Sequence, residues 1–65
     1  EHVIIGNLSG GEKLLVYDAL GRLHIERVAT GTTETIDLHL LAAGVYTIHV
    51  IDSGGGREMY KLVRN

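Results

Sequence analysis

Apolar and polar residues alternate with a period of two through nearly every apolar stretch of this chain, and glycine-bearing segments break the stretches apart. A period of two is the mark of a half-buried strand, because successive strand side chains point to opposite faces of a sheet. It predicts strands over His2–Gly6, Lys13–Asp18, Leu23–Val28, Glu34–His39, Val45–Asp52 and Arg57–Val63. Leu23 and Ile25 then share one face opposite His24 and Glu26. Ile36 and Leu38 point inward against Thr35 and Asp37, and Tyr46, Ile48 and Val50 against Thr47 and His49, which leaves His24 and His49 to solvent.

The connections carry turn chemistry. Nine glycines are present and no proline, and glycine supplies the positive φ that tight turns require. Ser9–Gly11, Ala19–Arg22, Ala29–Thr33 and Ser53–Gly56 read as hairpin turns. Leu40–Gly44, "LLAAG", is longer and apolar and reads as a single helical turn plugging one end. With no helix elsewhere, the 65 residues predict one all-β domain over 1–65, a small antiparallel β-sandwich.

Several functions fall away on composition and spacing. Net charge is −2, with both signs scattered, so no basic stripe answers a nucleic-acid backbone. No apolar run approaches the roughly 20 residues of a bilayer-spanning helix. Without cysteine, disulfides and thiolate metal sites are excluded. "LSGGE" (Leu8–Glu12) looks like an ATPase signature loop, and Lys13 follows it. However, Glu12 stands where a phosphate-binding loop needs its lysine, and strand-like "KLLVYD" follows where that loop needs a helix N-terminus. It reads as a turn, and Ser53-Gly54-Gly55-Gly56 reads the same way. His2, His24, His39 and His49 lack a short ligand spacing, so no metal and no cofactor is expected. Ser9 and Ser53 lack a His and Asp constellation, and Asp18, Asp37 and Asp52 sit at strand ends where aspartate caps turns. No enzyme is predicted. Tyr46 reads as a core aromatic whose hydroxyl finds a backbone partner, and Tyr17 and Tyr60 as packing residues.

Three segments in order, "LLVYDALGRL" (Leu14 to Leu23), "IDLHLLAAGVYTIHV" (Ile36 to Val50) and "YKLVRN" (Tyr60 to Asn65), resemble the type A C-terminal sorting domain of type IX secretion cargo. Val16-Tyr17-Asp18, Gly21-Arg22-Leu23, Ile36-Asp37-Leu38 and Leu41-Ala42-Ala43-Gly44-Val45-Tyr46 match that family's pattern at its offsets. The resemblance implies an Ig-like β-sandwich of about six to seven strands. It also implies an address rather than an activity. The type IX secretion machinery, its outer-membrane shuttle proteins and a sortase-like peptidase would be the partners, alongside an upstream cargo domain. The location would be secreted, at the bacterial outer-membrane surface via the periplasm. Recognition would fall on Lys61, Leu62, Val63, Arg64 and Asn65 with Leu41, Gly44 and Tyr46. The family's opening Pro-Asn-Pro is absent, Ala42 stands where proline is common, and the tail ends in Arg64-Asn65 where lysine is commoner. The first departure predicts a missing first strand, an exposed edge, and a homodimer by strand exchange. The other reading is a generic or engineered Ig-like or fibronectin-like structural or binding module with no sorting role.

Overall fold

The computed structural model describes all residues 1–65. It contains six strands: β1 (His2–Ile5), β2 (Lys13–Asp18), β3 (Leu23–Val28), β4 (Glu34–Asp37), β5 (Gly44–Ile51) and β6 (Arg57–Arg64). They form a four-stranded sheet in the order β3-β2-β5-β6 and a two-stranded sheet, β1-β4, with every pair antiparallel. The predicted all-β sandwich is therefore the fold.

The core lies where the two sheets meet. Leu14 and Val16 of β2, Tyr46, Ile48 and Val50 of β5, and Ile36 of β4 are buried, as are Leu8, Ala29, Leu38 and Leu41 from the connections. Along β5 the buried positions alternate with half-buried ones, as the sequence period requires. Val3, Ile5, Ile25 and Leu62 close the margins.

Two connections are the expected hairpins, and they are built alike. In β2–β3, Asp18 N donates to Arg22 O at 2.9 Å around a loop closed by Gly21 at φ 83°. In β5–β6, Asp52 N donates to Gly56 O at 2.9 Å around a loop closed by Gly55 at φ 90°. Each is a three-residue loop ending in a left-handed glycine. In each, the aspartate Oδ1 accepts the amides two and four residues on, Leu20 and Arg22 in one case, Gly54 and Gly56 in the other. The second hairpin leaves no room at Gly56, where a Cβ would lie 2.5 Å from Asp52 Oδ2.

The other two expected hairpins are absent. β1 pairs with β4, because β2 already has β3 and β5 on its two edges and because Val3 and Ile5 reach the core only from the opposite layer. Ser9–Gly11 and Ala29–Thr33 instead cross between the sheets and bind each other. Leu8 N donates to Thr32 O, Gly11 N to Ala29 O and Ala29 N to Glu12 O, at 3.0, 2.7 and 2.8 Å. "LSGGE" is thus a turn but not a hairpin. The buried Glu12 carboxylate folds back to accept Ser9 N at 2.7 Å and Gly10 N at 2.8 Å. The amides that would cradle a phosphate are already occupied.

Two further expectations are corrected. Leu40–Gly44 holds no helical turn, and the chain bends in a β-turn with Leu41 N donating to Leu38 O at 2.9 Å. Leu41 still plugs the end of the core while Leu40 projects into solvent. In β3, Leu23 and Ile25 do not share a face. The register shifts so that Val16 faces Ile25 while Tyr17 faces Leu23, which makes His24 a bulge residue; it stays exposed, as expected, while its ring contacts Asp18 and the Tyr46 edge.

Candidate functional site

The residues singled out from the sequence fall in two segments, and the sheet brings the two together. β5 and β6 pair so that Gly44 faces Arg64, Val45 faces Val63 and Tyr46 faces Leu62. The tail therefore lies directly on the strand that follows Leu41-Ala42-Ala43. β6 forms there because alternate residues, Tyr60 and Leu62, meet the apolar face of β5 at Ile48 and Tyr46, while the Asp52 hairpin fixes the register.

The named residues then divide by exposure. Tyr46 is 4 % exposed and Leu41 8 %, so neither can be touched directly by a partner. Tyr46 donates its hydroxyl to Ala42 O at 2.6 Å, bonding back to the backbone four residues upstream as the tyrosine corner of Greek-key sandwiches does. His24 meets the Tyr46 ring edge-on at 5.7 Å. Lys61 and Asn65 are exposed, Val63 largely so, and Leu62 is half-buried against the core. Arg64 is a strap: Nε donates to Leu38 O at 2.9 Å, and Nη1 to Glu1 Oε1 at 2.8 Å and to the Asn65 carbonyl at 3.2 Å.

Beyond β6 the sheet has no further strand. Asp52 and Gly56 form a hydrogen-bonded pair, so antiparallel alternation turns the backbone groups of Glu58, Tyr60, Leu62 and Arg64 toward β5. Those of Arg57, Met59, Lys61 and Val63 are left on the open side. On the inner face, β6 and the edge of β1 border a cleft of about 310 Å³ lined by Val3, Ile4, Ile5, Ile48, Tyr60 and Leu62. Tyr60 donates its hydroxyl to Glu58 Oε1 at 2.9 Å, and that carboxylate raises the phenol's pKa.

A second cluster, of which the sequence signals only the turn-capping Asp18, sits at the β2–β3 turn. Asp18 accepts Arg22 Nε at 2.7 Å and bonds His24 Nε2 at 2.8 Å on Oδ2. The His24 bond, then the Arg22 amide, holds its carboxyl far below the usual carboxylate range. Asp37 is lowered by the His39 amide and ring, and Glu12 chiefly by the Ser9 amide. No three His, Asp or Glu side chains converge as metal ligands, and each of the three carboxylates accepts local backbone amides.

Carboxylates that are more acidic folded than unfolded add stability that is complete above about pH 5 and fades as pH falls below about 4. The thermal midpoint is therefore expected to drop on the acid side. Asp18→Asn should lower it at pH 7 and flatten the acid limb. Equal acid slopes for the two proteins in calorimetry would remove Asp18 from this role.

No protein-family model, no curated protein and no solved structure matches the chain. The site's own geometry is that of an open sheet edge. A last strand is strapped at its end by Arg64, backed by Tyr46 and Leu41, and open along its outer side.

Proposed function

We propose that this chain is a sorting domain, a folded address read by type IX secretion machinery, its outer-membrane shuttle proteins and a sortase-like peptidase as a cargo protein passes from periplasm to outer-membrane surface. The observation that carries the reading is the open edge of β6. Its unpaired backbone groups at Arg57, Met59, Lys61 and Val63 can extend the sheet into a receptor by strand addition.

The residues take distinct parts. Lys61 and Val63 face out on the edge and touch the receptor, with Asn65 just beyond them. Leu62 anchors the strand inward. Arg64 straps it to Leu38 and Glu1, and Leu41, Gly44 and Tyr46 act as positioning residues beneath it. The ordered matches Val16-Tyr17-Asp18, Gly21-Arg22-Leu23 and Leu41 to Tyr46 support the choice of this export route over other docking partners.

Fusing the chain behind a secreted reporter tests the proposal. Deleting residues 61–65 should cut surface export at least tenfold. Because that deletion also shortens β6, the double variant Lys61→Glu, Val63→Glu provides the second arm. It alters only outward side chains and should lower export to the same degree while the circular dichroism stays that of the parent. Undiminished export in the double variant would overturn the sorting role and favour a structural Ig-like module.

A further inference from the structure

The four-stranded sheet has two edges, β3 and β6, and they are not equivalent. β3 is broken by the bulge at His24, and its Arg27 Nη1 is drawn across to Thr35 O at 2.7 Å. Bulges twist an edge away from a would-be neighbour. β6 runs eight residues with no register break and no proline. It also carries three apolar side chains left largely in solvent, Met59 at 61 %, Tyr60 at 47 % and Val63 at 51 %.

We infer that β6 pairs antiparallel with β6 of a second copy of this chain, about a two-fold axis at Lys61, joining the two four-stranded sheets into one. The outward backbone groups already lie where this pairing needs them. Lys61 would exchange N–H and C=O bonds with its own symmetry mate, and Met59 with the partner's Val63.

The side chains select that register. On the inner face Glu58 stands opposite the partner's Arg64, and Tyr60 opposite the partner's Leu62. On the outer face Met59 stands opposite the partner's Val63. Symmetry doubles each of these pairs. The charged groups have capacity to spare: Glu58 engages only Oε1, with the Tyr60 hydroxyl, and Arg64 leaves Nη2 unengaged. Sliding one copy by two residues sets Glu58 against the partner's Leu62 and Met59 against the partner's Lys61, and sliding the other way sets Tyr60 against the partner's Arg64 and Lys61 against the partner's Val63. In both cases the matched pairs are lost.

The single unfavourable contact is Lys61 against its own copy at the axis. One strand edge also buries less than the roughly 1,200–2,000 Å² of a standard interface, so the pairing is reversible and concentration-dependent.

Sedimentation velocity on the purified chain, from tens of micromolar to about 1 mM, suits an interface of this size class. The mass should rise from 7.1 kDa toward twice that value. Lys61→Gln should lower the midpoint concentration severalfold. Lys61→Pro should stay monomeric throughout, because the lost N–H points away from β5 and the β5–β6 ladder is spared. Circular dichroism verifies that this variant folds. Glu58→Arg, which sets like charges together, should raise the midpoint at least tenfold and serves if the proline variant does not fold. By hydrogen exchange, the amides of Met59, Lys61 and Val63 should slow only in the concentrated sample. A monomer at the highest concentration overturns the inference. A dimer indifferent to both Lys61→Pro and Glu58→Arg does so too, and moves the seam to β3 or to the β1 cleft. The measurement uses the chain alone, so its outcome stands apart from the export assay.

Discussion

Leu14→Ala should leave most molecules unfolded at 25 °C. Leu14 is fully buried on β2, between β3 and β5, where no surrounding element is free to collapse into the space. Truncating a buried leucine costs about 2–5 kcal/mol. A domain of this size held by one core, without disulfide or metal, rarely has more than about 3–5 kcal/mol in total. Only 11 of 65 residues are buried, so the loss is shared among few neighbours. Leu20→Ala is the matched control: Leu20 is 78 % exposed on the β2–β3 turn, and its truncation should stay within about 0.5 kcal/mol. Urea titration followed by circular dichroism reads both. A Leu14→Ala chain with the parent's midpoint would show that the inter-sheet core is not what holds the fold.

Tyr46 separates packing from hydrogen bonding at one position. Tyr46→Ala opens a cavity under β5 and removes the ring against which His24 and Leu62 lie, at a cost of about 3–5 kcal/mol. In so small a domain that is enough to unfold it. Tyr46→Phe keeps the ring and removes only the bond to the Ala42 carbonyl, at a cost of about 1 kcal/mol. The phenylalanine variant should therefore stay folded, with a lower thermal midpoint and faster exchange in the Leu41–Gly44 bend. Equal losses for Phe and Ala would mean that the hydroxyl dominates and that the corner bond holds β5 in place. A null effect for Phe would reduce that bond to ornament.

Tyr46 also shows how far the candidate site could be read in advance. Only the family resemblance singles out the Leu41 to Tyr46 segment together with the Lys61 to Asn65 tail, and the ladder pairs Gly44 with Arg64 and Tyr46 with Leu62. Tyr46 itself was legible: the period of two sets it inward with Ile48 and Val50, and its hydroxyl finds a backbone partner at Ala42. Which tail residues lie against the core was not, because half-buried Leu62 and exposed Val63 are both apolar and only the packing tells them apart. The Arg64 strap was hidden for the same reason, since Leu38 and Glu1 are remote from it in the chain. The two aspartate-capped hairpins were legible: Asp18 with Gly21, and Asp52 with Gly55, carry the same spacing, because an aspartate that bonds the amides ahead of it and a glycine that takes positive φ are both local requirements.

Periodicity along the chain determined by itself that this protein is built of strands, where β2 and β3 begin and end, which residues of β4 and β5 face the core, and where two of the turns close. Those properties depend on residues within a few positions of one another. Tertiary structure alone decided that β1 crosses to β4, that Ser9–Gly11 bridges two sheets, that β3 bulges at His24 and that β6 is left at an edge. Each of these depends on which faces can be buried together, and that is settled only when strands distant in sequence compete for the same core and the same few hydrogen-bonding edges.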